Sequence, residues 1–350
     1  MTTLFRKKPA PVLGIDISSS AIRLVELSVS GHSHRVEAYA CEPLAEGIVV
    51  ERAIRNPEQL GQSIARLVQR SRSRIRQAAV AVSGSSVITK VIEVDDLPTD
   101  LELEQLIQLE APPHIPYPLE DVALDFDVLG PAPGQPGRLQ VLLAASRREE
   151  VDALDDVLQS AGLDAQLVDV ETLVLERSLA LVRHQYDTSP AKAVALLDIS
   201  HSRLTLSVFK GQQTLYRREQ SLNRREQPLT SVTEAVPFFS DSEQAAGDQS
   251  DQPEPQLQHL SEAVQQTLQF FYATSQSGPL DAVLLAGDHP ALAALAEPLA
   301  QATALPTVLA DPISQLECAA AVNRHQLKDD SSALLVACGL ALRSFDHGHR

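Results

Sequence analysis

Apolar and polar residues alternate over Ile22-Arg23-Leu24-Val25-Glu26-Leu27, directly after Leu13-Gly14-Ile15-Asp16-Ile17 and the polar trio Ser18-Ser19-Ser20. A period of two predicts a half-buried strand and the trio a tight turn, so this segment reads as a hairpin with a carboxylate near its tip. The arrangement recurs at Leu196-Leu197-Asp198-Ile199-Ser200-His201-Ser202, which runs into Leu204-Thr205-Leu206-Ser207-Val208-Phe209. Both align as Asp-Ile-Ser-x-Ser followed by alternation. The chain contains its hairpin twice, which predicts two related lobes.

Between the hairpins the pattern changes period several times. Arg35 to Cys41 reads as a third strand, and Asn56-Pro57-Glu58 opens a helix with Leu60, Ile64, Leu67 and Val68 on one face. Ala78 to Val82 lacks alternation and reads as a buried strand. From about residue 86 a separate α+β unit is predicted: strand Val87–Val94, a capping box at Thr99–Glu102 with its helix to about Glu110, a non-helical turn over 111–119 rich in proline, strands Val122–Leu129 and Leu139–Ala145, and a second capping box at Ser146–Glu149 starting a helix that Gly162 stops. Leu167–Val170 returns to the first lobe, and Glu171 to about His184 is helical. After the second hairpin, 240–256 carries Asp241, Glu243, Asp248, Asp251 and Glu254 with almost no apolar residue, a composition that predicts disorder. A helix follows from about Leu257, then strand Ala282–Ala286, a helix through Leu292, Leu295 and Leu299, and a last helix from Ser331 to about Arg343 that is apolar nearly all round.

The expected domains are therefore a first lobe of 1–85 with 164–190, an inserted α+β subdomain of 86–163, a second lobe of 191–222 and 278–350 whose C-terminal helix packs back on the lobe junction, and a reduced helical subdomain of 223–277. A formal net charge of -17 disfavours nucleic acid as a partner. The locally basic stretches are the leader Arg6-Lys7-Lys8 and Arg66 to Arg76. No apolar run approaches a membrane span and no secretory leader precedes the fold, so a cytoplasmic location is expected. Cys41, Cys318 and Cys338 stand far apart in apolar surroundings and read as buried thiols.

A carboxylate at each hairpin tip can hold hydrated Mg²⁺, while hydroxyls and turn amides donate to phosphate oxygens. Asp16 and Asp198 are thus the metal candidates, with Ser18, Ser19, Ser20 and Ser200 as phosphate donors. This is the logic of the actin, sugar kinase and Hsp70 superfamily, an α/β fold of two lobes. Asp and Ser are also ordinary turn residues, so each hairpin has a plain structural reading as well.

Longer motifs narrow the resemblance. Leu4-Phe5-Arg6-Lys7-Lys8, the first hairpin, Val87-Ile88-Thr89-Lys90, Ile115-Pro116-Tyr117-Pro118-Leu119-Glu120, Val168-Asp169-Val170-Glu171, Tyr216-Arg217-Arg218-Glu219-Gln220 and Ala337-Cys338-Gly339-Leu340-Ala341-Leu342-Arg343-Ser344-Phe345-Asp346 together resemble the PilM family of type IV pilus assembly proteins. The resemblance covers nearly all of the chain outside 222–256. It implies an actin-like, FtsA-related fold, ATP with Mg²⁺ as cofactor, peripheral association with the inner membrane, and a grip on the N-terminal cytoplasmic peptide of PilN, linking the alignment complex to the pilus motor and platform. It adds Gly287 and Gly339 to the nucleotide candidates; Gly339 has the alternative role of letting two helices cross near Ala180. Ser200, Asn223 and Asp288 occupy positions where the family carries glycine, which predicts weakened nucleotide binding.

Ile115, Pro116, Tyr117 and Leu119 are candidates for the partner groove, or else a structural turn. Neither a kinase base nor a Ser/His/Asp or Cys/His grouping is apparent, so no catalytic residue is expected. The alternatives to an adaptor are an ATPase or small-molecule kinase and a filament former of the FtsA type; self-association is open.

Overall fold

The computed structural model describes residues 11–30, 33–83, 86–96, 99–186, 192–211, 213–222, 253–275 and 278–345. The basic leader, Asn223 and most of the acidic tract lie outside the described residues. Two compact units result, the first of residues 1–183 and 311–350 and the second of 184–310.

The first unit begins with β1 (Leu13–Ile17), β2 (Ala21–Ser30) and β3 (Ser33–Pro43), then a short hairpin of β4 (Val49–Val50) and β5 (Ala53–Ile54). Helix α1 (Pro57–Ser71) starts as its sequence dictates: the Asn56 side chain accepts from the Gln59 amide at 3.0 Å, and Pro57 takes a position with no amide to satisfy. Next come β6 (Gln77–Val82), β7 (Ile88–Asp95), α2 (Asp100–Glu110), β8 (Val122–Pro131), β9 (Arg138–Arg147), α3 (Arg148–Ser160), β10 (Asp164–Val170) and α4 (Glu171–Val182). The second unit holds β11 (Ala193–Ile199), β12 (Arg203–Lys210), β13 (Gln213–Ser221), α5 (Pro253–Thr274), β14 (Ala282–Gly287), α6 (Leu292–Thr303) and β15 (Thr307–Leu309). Short β16 (Glu317–Cys318), α7 (Arg324–Asp329) and buried α8 (Leu335–Leu342) return to the first unit.

The sheets repeat one topology. Their orders are β10-β6-β1-β2-β3-β16 and β13-β12-β11-β14-β15. Each has an antiparallel hairpin followed by two strands parallel to its first member. In the second unit β14 runs directly to α6, whereas in the first the three-stranded sheet β7-β9-β8 and α2 stand between β6 and α3.

Two expected boundaries change. Helix α3, assigned to the insertion, buries Leu154, Val157 and Leu158 in the core of the first sheet with Leu60, Ile64 and Leu67 of α1. It is the covering helix of the repeat, with the insertion ahead of it. Residues 311–350, expected in the second lobe, belong to the first unit, because Ala337, Cys338 and Ala341 of α8 pack on Val25, Leu27 and Val36. An all-apolar helix is buried wherever it lies, so its pattern could not choose a sheet.

Local chemistry departs from expectation in two places. The Ser146 box does not cap α3: its N-cap is Arg147, with no capping side chain, and the Ser146 hydroxyl instead lies 3.5 Å from Glu150. The proline-rich turn contains 3₁₀ segments at Pro112–His114 and Leu119–Asp121, since Pro112 opens the first where an amide is not needed. Thr99 caps α2 as its sequence predicts, accepting from the Glu102 amide at 3.3 Å.

Candidate functional site

Strand pairing places the hairpin carboxylates equivalently. Asp16 lies opposite Arg23, and Asp198 lies opposite Thr205, seven residues later in both cases. Alternation then puts Asp16 on the α8 face with Gly14, while Leu13 and Ile15 enter the core beneath α1 and α3. The turns close identically. The Ser18 amide donates to Ala21 O at 3.0 Å, and the Ser200 amide to Arg203 O at 2.9 Å. Each serine hydroxyl also donates to that carbonyl, at 2.9 Å and 3.4 Å.

The first turn is heavily committed to itself. Ser18 Oγ also accepts from the Ala21 amide at 3.1 Å and from Arg23 Nη1 at 3.3 Å, with the Ser20 hydroxyl 3.0 Å away. Arg23 Nη1 stands 3.6 Å from Asp16 Oδ2, and both side chains are under a tenth exposed. A carboxylate with a guanidinium at that distance is already compensated, and its remaining capacity to attract a hydrated cation is reduced. Ser19 is half-buried. Arg23 is a residue that motif reading missed: Ile17 pairs with Ile22 across the four residues 18–21, and that register places Arg23 opposite Asp16.

At the second turn, Gly287 ends β14 with φ +111, and a Cβ there would fall well under 3.0 Å from backbone atoms of Ile199. The Asp288 and His289 amides both donate to Ile199 O, at 3.1 and 3.2 Å. Gly287 therefore serves a backbone crossing, whatever else approaches it. The His289 ring lies 5.6 Å from that of His201, tilted by 38°, and burial, with a smaller contribution from His201, lowers the His289 pKa below the usual histidine range.

Gly339 sits in α8, where a Cβ would press on Val174 O and Ser178 of α4, so the close crossing centres on Val174 and Ser178. Gly14 allows β1 an equally close approach to Ala337 and Ala341. The Val168–Glu171 motif acquires partners: Asp169 Oδ2 meets Arg177 at 3.1 Å and Arg343 at 3.5 Å, and Arg177 donates to Gly339 O at 3.4 Å. Glu171, 1% exposed at the start of α4, is ion-paired with Arg52. Arg52 and Glu51 both have positive φ in the β4–β5 turn, a backbone strain at two consecutive non-glycine residues.

Of the groove candidates, Ile115 is 6% exposed in the core of the inserted subdomain and Leu119 packs against that core. Pro116 is exposed, and Tyr117 is 42% exposed with the Arg147 guanidinium 5.1 Å from its ring centre. Among the described residues no cluster of three or more His, Cys, Asp or Glu side chains is arranged to hold a metal.

Paired mixed sheets, each entered by an Asp-Ile-Ser hairpin, define an actin-like ATPase fold. A family model described as type IV pilus assembly protein PilM matches residues 14–345, and the chain belongs to that family. A chain of the PilM-PilN type IV pilus biogenesis complex aligns with 97% of this chain and 99% of its own length at 27% identity and TM-score 0.71. The ethanolamine utilization protein EutJ from Carboxydothermus hydrogenoformans aligns at 13% identity and TM-score 0.50, over 95% of this chain and 90% of its own, a likeness of fold.

Proposed function

We propose that this chain is a cytoplasmic adaptor of the type IV pilus inner-membrane assembly complex that grips the N-terminal cytoplasmic peptide of PilN. The supporting observation is the likeness, over 97% of the chain, to a component of a PilM-PilN complex. Peripheral association with the inner membrane and contact with the pilus motor ATPase and platform belong to the same reading. Among the described residues no helix is long and apolar enough to cross a membrane. The inserted subdomain offers a peptide exposed apolar side chains, among them Leu109 at 77% and Tyr117 at 42%. An extended peptide binds such a surface through a few buried side chains and a strand edge.

ATP with Mg²⁺ fits these hairpins poorly. The Ser18 hydroxyl is spent on its own turn, Asp16 is paired with Arg23, and Ser200 and Asp288 bring side chains where backbone must approach phosphate. Nucleotide binding is accordingly weak, and the role is non-enzymatic.

Calorimetric titration with a PilN N-terminal peptide, with and without Mg-ATP, tests this. Saturable binding in both conditions is the expected result. Binding only with Mg-ATP would show that the degenerate loops still respond to nucleotide. Absence of binding in both would overturn the adaptor and bring forward an ATPase, kinase or filament-forming role.

A further inference from the structure

The three-stranded sheet of the inserted subdomain has one covered face and one open face. Ile92 and Val94 of β7, Val141 and Leu143 of β9 and Val122 of β8 are buried with Leu103 and Ile107 of α2, so α2 covers that side. Alternation sends the residues between them to the other side. The register there sets Thr89, Ala144 and Asp125 in one cross-strand row and Val91, Leu142 and Asp127 in the next. An antiparallel sheet open to water normally carries polar side chains on that face. This one instead exposes Val91 at 48% and Leu129, at the bulge beyond Asp127, at 53%, with Leu142 half-buried on the strand between theirs.

Carboxylates border that apolar strip on both sides. β8 contributes Asp125 and Asp127, both exposed and neither ion-paired among the described residues. β7 contributes Glu93 and, at its end, Asp95. The cation of this face, Arg138, stands at the far corner and is committed to Glu93 O and, at 3.9 Å, to Asp95. Lys90, exposed on the same edge strand, belongs by alternation to the α2 side, since it pairs with Leu143. Strands lie about 4.8 Å apart, so β7 and β8, with β9 between them, hold their carboxylates in two rows about 10 Å apart. An α-helix with its side chains is about as wide.

From this arrangement we infer that the open face of the β7-β9-β8 sheet docks a basic amphipathic helix of a protein partner. Its apolar stripe lies on Val91, Leu142 and Leu129, and its flanking Lys or Arg residues meet Asp125 and Asp127 on one side and Glu93 on the other. Charge and spacing select the occupant. Carboxylates repel an anionic bilayer or a nucleic acid, and a single extended strand is too narrow to meet both rows. A second copy of this chain brings a formal net charge of -17, and Arg66 and Arg70 of its α1 are already held by Glu42, at 3.0 and 2.5 Å. The surface lies across the sheet from α2, where Leu101 and Leu109 are exposed, so the inference stands apart from the PilN peptide reading.

The test is fluorescence anisotropy of the full chain with a labelled helical peptide about 18 residues long, with leucines on one face and lysines flanking them. Two controls accompany it, the same composition scrambled and a version with glutamates for lysines. The expected result is saturable, salt-sensitive binding of the basic amphipathic peptide and much weaker binding of both controls. Asp125→Lys/Asp127→Lys should weaken it about tenfold or more, because like charges then oppose across the contact. Val91→Ser/Leu129→Ser should weaken it roughly tenfold through lost apolar burial. Leu101→Ser/Leu109→Ser, on the α2 side, should leave it unchanged. All six side chains are exposed, and an unchanged thermal melt verifies folding. Equal binding of either control peptide, equal affinity of the Asp125→Lys/Asp127→Lys variant, an equal loss in the Leu101→Ser/Leu109→Ser variant, or no binding by the unmodified chain overturns the inference. Self-association in sedimentation velocity that the Val91→Ser/Leu129→Ser variant loses also overturns it and assigns the face to a second copy.

Discussion

Arg23 faces Asp16 across the first hairpin, its Nη1 3.6 Å from Oδ2, with both side chains under a tenth exposed. The pair sits at the turn where the family resemblance places phosphate, and its guanidinium also reaches Ser18. Removing one member of a buried pair strands the other's charge at a cost of about 3–5 kcal/mol, whereas replacing both is far milder. Arg23→Met should destabilise by about that amount, and Asp16→Asn/Arg23→Met should recover most of it. Urea unfolding of the single and double variants measures both; equal losses would refute the coupling.

The β4–β5 turn sets two effects against each other. Arg52→Gly relieves a left-handed residue, a gain of about 1 kcal/mol, but breaks the ion pair of the Glu171 carboxylate, which is 1% exposed, at about 3–5 kcal/mol. Loss of the pair should dominate, and the variant should be less stable. Glu51→Gly, without a buried partner to lose, should be neutral or stabilising by thermal melting.

Glycines of similar sequence context should respond differently. Gly339→Ala places a methyl against Val174 O, and Gly14→Ala one against Ala337 O; overpacking of this kind costs about 1–3 kcal/mol. Gly47→Ala meets no atom within 4 Å and carries only the strain of φ +83, about 1 kcal/mol. Denaturant midpoints should rank Gly47→Ala as the mildest of the three.

Stability should fall on both sides of neutrality for identifiable reasons. Burial lowers the pKa of His289 and of His34, so the folded chain holds fewer protons than the unfolded one as pH drops. Their contribution is present above about pH 6.5 and is lost below it. On the alkaline side, burial pushes the Cys338 thiol up to about 12, and burial with the Asp330 hydrogen bond raises Tyr39. Those protons leave the unfolded chain first, so stability declines from about pH 9 upward. His289→Gln should flatten the acid limb and Cys338→Ala the alkaline limb of a melting-temperature profile.

Tyr117 and Ile115 separate partner binding from folding. Tyr117→Ala should weaken PilN peptide binding about tenfold or more with an unchanged melt, as for an exposed aromatic anchor. Ile115→Ala should instead destabilise the inserted subdomain by about 2–5 kcal/mol, since the side chain is 6% exposed in its core. Calorimetry and thermal melting distinguish the two.

By itself the sequence determined the local elements and their repetition. Period-two alternation after each Asp-Ile-Ser predicted both hairpins, Asn56-Pro57 predicted the start of α1, and the long shared motifs pointed to the family. These follow from contacts within a few residues, where spacing and side-chain type suffice. What the tertiary structure decided was pairing across the chain: that α8 packs on the first sheet, that α3 belongs to its core, that Arg52 neutralises Glu171 more than a hundred residues away, and that Gly287 and Gly339 are spent on close crossings. An apolar helix is equally content against either sheet, and a glycine or buried carboxylate reveals its role only once the opposing backbone or cation is in place.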